Sequence, residues 1–142
     1  VHAFRFTNRE GKIRHGRYRI HPIAGERHLE AAEAAARPAD YLSDELAERF
    51  KSGPVRFRLM AQLAEDGDPV TDASRTWPET RAQVELGTVG LTSRRPDSDA
   101  AERSLSFNPA RLVDGIEASG DPLIQARSET YAMSYRRRNP AA

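Results

Sequence analysis

The stretch Val55–Ala64 places Val55, Phe57, Leu59, Ala61 and Leu63 at every second position, with Arg56, Arg58, Met60 and Gln62 between them. Successive side chains of a strand point to opposite faces, so this alternation specifies a half-buried β-strand and does not fit a helix. Three further segments carry strand patterning. Val1–Thr7 sets His2, Phe4 and Phe6 against Val1, Arg5 and Thr7, and Lys12–His21 puts Tyr18 and Ile20 on one face. Asn8-Arg-Glu-Gly11 between them is turn chemistry, so the two strands are expected as a hairpin. Ala82–Thr92 is a fourth strand with a change of phase: Val84 and Leu86 lie on one face, Val89 and Leu91 on the other. Gly87 stands between the two phases, as expected of a β-bulge.

Helical segments interrupt these strands. Glu26–Arg37 is rich in alanine and glutamate and reads as a helix stopped by Pro38. Asp40–Phe50 spaces Leu42, Leu46 and Phe50 at i, i+4 and i+8, and ends at Ser52-Gly53-Pro54. Glu65–Thr80 reads as one long loop and Ser93–Glu102 as a polar one. Asp121–Arg138 is a closing helix, with Ser119 or Asp121 as N-cap and Pro122 in the first turn. Antiparallel strands broken by helices specify an α+β fold, and 142 residues fit a single domain with a modest core.

Composition removes several function classes. A net charge of +1 argues against a general nucleic-acid binder, and no apolar run approaches the 18 or so residues of a membrane span. With 30% charged residues the chain reads as soluble, from the cytoplasm or periplasm. The absence of cysteine rules out disulfides and thiolate chemistry. Twenty of the 22 basic residues are arginine, whose planar fork suits carboxylates. A chain-wide preference for arginine over lysine accounts for most of them. His15, His21 and His28 lack ligand spacing, and Asp66, Asp68 and Asp72 lack the closing glutamate of a calcium loop.

The closing helix carries the most distinctive chemistry. Arg127 precedes Tyr131 by four residues and Arg138 follows it by seven, so the three share one helix face. A cation held against a phenol favours the phenolate, a hard anionic oxygen suited to ferric iron. The residues alone also allow Tyr131 as an ordinary core or surface tyrosine, Arg127 as an exposed arginine, and Arg138 as one member of the solvated run Arg136-Arg-Arg138.

A longer pattern surrounds these residues. Phe107-Asn-Pro, then Asp114-Gly-Ile-Glu-Ala-Ser119, then Asp121-Pro-Leu-Ile-Gln-Ala-Arg127, Tyr131 and Arg138 resemble, without a gap, the proximal haem segment of the haem catalase family. That segment reads Phe-x-Pro, Pro-Gly-Ile-x-x-Ser-x-Asp, Leu-Gln-x-Arg-x-x-x-Tyr and Arg. Val1-His2-Ala3-Phe4-Arg5-Phe6 is similar to the family's His-x-Phe-x-Phe/Leu strand. Trp77-Pro78, followed by Val84, Gly87, Gly90 and Leu91, is similar to its Trp-Pro loop and next strand. The diverged stretch Ser93–Ser106 resembles the catalase-related peroxidase branch.

The resemblance implies an antiparallel β-barrel catalase core, about half of it supplied by residues 1–142 as one domain whose upstream part is missing. It implies ferric haem (iron protoporphyrin) with Tyr131, on an α-helix, as the axial ligand of the iron, as known for catalases. Arg127 would hold Tyr131 deprotonated, His2 and Asp121 would support Arg127, Arg138 would anchor a haem propionate, and Phe107 would pack on the haem face. No catalytic residue is expected in this segment: the distal histidine and asparagine would precede Val1. The implied activity is decomposition of hydrogen peroxide, with an organic reductant as second partner, in a homo-oligomer. Two alternatives remain at this stage: a hydroperoxide-rearranging haem enzyme on the same scaffold, and a non-enzymatic β-barrel module that binds a small ligand.

Overall fold

The four expected strands form, and a fifth joins them. A computed structural model of the chain describes residues 2–140. In chain order the elements are β1 (Phe4–Thr7), β2 (Ile13–Pro22), α1 (Ala31–Ala35), α2 (Tyr41–Lys51), β3 (Val55–Leu63), β4 (Gln83–Leu91), α3 (Ser98–Ser104), β5 (Ile116–Ala118) and α4 (Pro122–Arg138). The strands make one antiparallel sheet in the order β4-β3-β2-β1-β5. The sheet is open, with β4 and β5 as its edges, and is not the closed barrel the resemblance implies. β4 and β5, at the two ends of the strand order, do not pair with each other, so the five strands do not close.

The β1–β2 hairpin closes as its turn residues dictate. Oδ1 of Asn8 accepts from the amides of Glu10 and Lys12 at 3.0 and 2.8 Å, mimicking a backbone turn. Along β3 and β4 the ladder pairs Val55 with Leu91, Phe57 with Val89 and Leu59 with Gly87, then slips so that Met60 pairs with Glu85 and Ala61 with Val84. The slip leaves Leu86 as the extra residue of a bulge. It resolves the change of phase seen in the sequence, because Val84, Val89 and Leu91 all stand opposite odd-numbered residues of β3 and so share a face. Gly87 turns the bulge with φ of +152°, where an L side chain is strained.

The two faces of the sheet differ. On one, the ring of Tyr18 meets Phe4 at 5.4 Å and Phe6, edge-on, at 5.7 Å. That apolar face continues outward uncovered among the described residues: Ile20 is 62% exposed, and Val84, Val89 and Leu91 are exposed beside it. The loop between β3 and β4 brings the buried Trp77 against Arg17 of β2, which lies on the other face. Five apolar residues are buried against four polar ones, His2, Arg17, Gln62 and Asp121, so hydrogen bonds rather than oil organise this interior. Gln62, read in the sequence as belonging to a polar strand face, is wholly enclosed. It donates to the carbonyl of Pro78 and accepts from Arg19.

Some helices depart from expectation. The Glu26–Arg37 helix shrinks to the five residues of α1, which buries no side chain; propensity alone rarely sustains so short a helix. The polar stretch Ser93–Glu102 contains most of α3. That helix is held from outside its own sequence: Arg138 and Asn139 of the last helix donate to the carbonyls of Glu102, Leu105 and Arg103. β5 had no sequence signal beyond three residues beside Gly115, whose carbonyl accepts from the Thr7 amide at 2.8 Å. Asp121 is the N-cap of α4, accepting from the Leu123 amide at 2.9 Å, with Pro122 behind it. Ser119 instead donates to the carbonyl of Val70. Among the described residues no helix is long and apolar enough to cross a membrane.

The bulge gives a direct test in the full-length protein. Gly87→Val is expected to lower unfolding stability by about 1–3 kcal/mol, because a β-branched residue cannot adopt this backbone without strain. Gly90→Ala, on the same strand and facing open space, is expected to change stability by less than about 1 kcal/mol. Urea unfolding of the two variants side by side checks this.

Candidate functional site

The residues singled out in the sequence fall into two pairs. On α4, Nη2 of Arg127 donates to Oη of Tyr131 at 3.1 Å, with the guanidinium carbon 5.7 Å from the ring centroid. The cation therefore sits at the oxygen end of the ring, one helical turn away. Tyr131 is half-buried and Arg127 exposed. The amphipathic spacing produces this pair locally, with no help from the rest of the fold.

The second pair is tertiary. Nδ1 of His2, just ahead of β1, lies 2.8 Å from Oδ2 of Asp121, at the start of α4, and both residues are 5% exposed. An ionised carboxylate only accepts, so Nδ1 carries the proton. Burial pushes the Asp121 carboxyl up, but hydrogen bonds from His2 and the Leu123 amide outweigh it and hold the group below the usual carboxylate range. Among the described residues no hydrogen bond joins this pair to Arg127. Arg127 follows Asp121 by six positions, about 9 Å of helical rise. The continuous chain Asp121–His2–Arg127–Tyr131 suggested by the resemblance is therefore two separate contacts here.

Arg138 and Phe107 border the helix differently. The exposed guanidinium of Arg138 donates to the carbonyls of Glu102 at 2.6 Å, Leu105 at 3.0 Å and Ser134 at 3.4 Å, clamping α3 to α4. Phe107 is 60% exposed. Its neighbour Asn108 accepts from Ser128 at 2.8 Å, which ties this segment to α4.

One buried cation escaped the sequence reading. Arg17, 4% exposed, stacks 4.3 Å above the Trp77 ring and donates to the carbonyls of Arg75, Asp72 and Pro69 at 2.6, 2.9 and 3.1 Å. Its Nε is the one buried side-chain nitrogen or oxygen without a hydrogen-bond partner among the described residues. Burial, then Arg19, depress its basicity, while Asp121, Asp68 and Asp72 oppose that. In the sequence Arg17 is one arginine in a strand of them. The usable signal was Trp77, a lone tryptophan in a polar loop whose ring needs a cover and whose N–H needs an acceptor, here the carbonyl of Pro69.

Nearly the whole chain resembles proteins of one family. The family profile described as Catalase matches residues 1–141. The chain is 38% identical over 138 residues to the catalase-related peroxidase of Synechococcus elongatus, covering 97% of this chain and 41% of that protein. It is likewise 38% identical over 138 residues to the catalase-related peroxidase of Mycolicibacterium paratuberculosis, covering 97% and 44%. The solved structure of catalase A from Saccharomyces cerevisiae matches with a TM-score of 0.83 and 25% identity, over 96% of this chain and 30% of that one. The chain thus spans about two-fifths of the length of the two peroxidases. With nearly every residue inside the family profile, it belongs to the haem catalase family and groups with the catalase-related peroxidases.

Proposed function

We propose that these residues are the proximal part of a haem-dependent peroxidase that decomposes hydrogen peroxide, in which Tyr131 would hold the iron of a ferric haem. The observation that carries this reading is the 3.1 Å bond from Arg127 to the phenol oxygen, in a chain of the catalase family. The donor set fits the group. Tyr131 offers a hard phenol oxygen, and Arg127 brings a hydrogen-bond donor and a positive charge to that oxygen. Phe107 presents a large ring that the described residues leave open, as a residue packing on a flat apolar cofactor would. A guanidinium has five N–H donors, and Arg138 engages three of them, so two remain for a propionate.

When bound, the haem supplies the redox chemistry with peroxide; the protein binds, orients and tunes it. Tyr131 would hold the iron from the proximal side, and Arg127 places an N–H donor and a positive charge at its oxygen. Asp121 fixes the start of α4, and with it the height of Tyr131, against His2 on the sheet. The groups that move the peroxide proton, a distal histidine and asparagine, belong in this reading to a part of the protein outside residues 1–142. That part would also cover the open apolar face and complete the barrel. The second substrate is an organic reductant, and the working unit is a homo-oligomer.

In the full-length protein, Tyr131→Phe removes the ligand oxygen while keeping the ring, and peroxide consumption is expected to fall at least about 100-fold. Arg127→Met, which leaves the oxygen without its cation, is expected to cost about 10–100-fold. Peroxide turnover at the wild-type rate in Tyr131→Phe removes the ligand assignment. The 142-residue chain by itself is expected to retain haem weakly or not at all and to turn over no peroxide. A ferric-haem titration followed by absorbance checks that; a stable complex with rapid peroxide consumption contradicts it.

A further inference from the structure

The segment that carries Phe107 is fastened to α4 on both sides of that residue. Ahead of it, the carbonyls of Glu102 and Leu105 accept from Arg138 at 2.6 and 3.0 Å. Just after it, Oδ1 of Asn108 accepts from the Ser128 hydroxyl at 2.8 Å. Tyr131 lies between the two fasteners along the helix, about 4.5 Å of rise beyond Ser128 and about 10.5 Å short of Arg138. At about 100° per residue it also falls within the arc of roughly 80° that separates Ser128 from Arg138 around the axis. The backbone around Phe107 is thus pinned to one helix, with one pin on each side of Tyr131.

The pin at Asn108 exceeds what its own turn requires. Oδ1 already accepts from the Ala110 amide at 2.8 Å, and the Asn108 carbonyl accepts from the Arg111 amide at 3.1 Å, so the turn closes locally. Since Oδ1 only accepts, Ser128 is the donor of the bond to α4. That hydroxyl has a single proton, and the Ile124 carbonyl one turn back competes for it at 2.9 Å. A mid-helix serine serving only its own backbone would have no need of a partner 20 positions away. Phe107 is 60% exposed, too open for packing among the described residues to fix its ring. The turn that follows it has to do so.

We propose that Ser128 and Asn108 are positioning residues for Phe107: the bond between them holds the segment bearing that ring to α4 beside Tyr131. Neither residue is assigned a contact with haem. That Phe107 packs on a haem rests on the peroxidase reading above; that the bond holds the segment to the helix does not.

The test uses the full-length protein as purified. Ser128→Ala removes the hydroxyl and raises helix propensity, so the change does not itself weaken α4. Ser128→Thr keeps a hydroxyl. Amide hydrogen exchange at Ala110 and Arg111 is expected to rise about two- to tenfold in Ser128→Ala, with the α4 amides from Tyr131 to Ser134 unchanged, and to return toward the wild-type rate in Ser128→Thr. Haem transfer to excess apomyoglobin is expected to quicken about tenfold in Phe107→Ala, by less in Ser128→Ala, and no further in the double variant than in Phe107→Ala alone. Unchanged exchange at Ala110 and Arg111 overturns the proposal, since the hydroxyl is then spent on Ile124. So does a double variant in which the two effects add, since Ser128 then acts by a route other than Phe107. A full-length protein that carries no haem defeats the peroxidase reading, and the exchange measurement alone then decides whether the bond holds the segment.

Discussion

The carboxylate of Asp121 is the point on which the described structure turns. It accepts from the Leu123 amide and so starts α4, and from His2 and so ties the helix to a residue 119 positions earlier. Removing the carboxyl group would leave these buried donors short of an acceptor, at about 1–3 kcal/mol for each left unsatisfied. Because its folded pKa lies below the ordinary value, the stabilisation is fully present above about pH 4 and is lost as pH falls through the lowered value. The Arg127–Tyr131 pair needs none of this in order to form. It needs it in order to be placed, since the pair rides on a helix whose position is set at its first residue.

The sheet divides the work between its faces. The face with Arg17 and Gln62 satisfies its buried polar groups internally, through the loop carrying Trp77 and Pro78. The other face collects Tyr18, Ile20, Phe57, Leu59 and, by means of the bulge, Val84, Val89 and Leu91. Without the extra residue at Leu86, half of β4 would present its apolar side chains to the polar network. The bulge thus serves the apolar face that reaches beyond the described residues.

Strands were legible where burial imposes a period of two, and Val55–Ala64 and the Gly87 bulge came through with nearly correct bounds. The capping of α4 was legible too, because Asp followed by Pro satisfies helix-start chemistry locally. What escaped depends on partners distant in sequence. α3 has no apolar stripe and is held by Arg138 and Asn139 across 33 to 36 residues. β5 exists because β1 had a free edge. Gln62 was legible only as lying opposite the apolar set of its strand, because alternation gives a side chain's face and not what will cover it. Arg127 with Tyr131 was readable from spacing alone, and His2 with Asp121 only from the family pattern. Arg17 was carried by neither.

The placement of Arg17 resolves a conflict between charge and hydrogen bonding. A direct ion pair between Arg17 and Asp121 would satisfy both charges and would engage the oxygens that now serve His2 and Leu123. As the chain is folded the two groups still feel each other's field, since Asp121 raises the basicity of Arg17, yet their hydrogen bonds stay separate. The carbonyls of Pro69, Asp72 and Arg75 turn to the cation, and Val70 in the same stretch of backbone accepts from Ser119, just ahead of α4. Three backbone acceptors and the face of Trp77 thus stand where a carboxylate would, and that is why a buried arginine without an ion-pair partner is tolerated here.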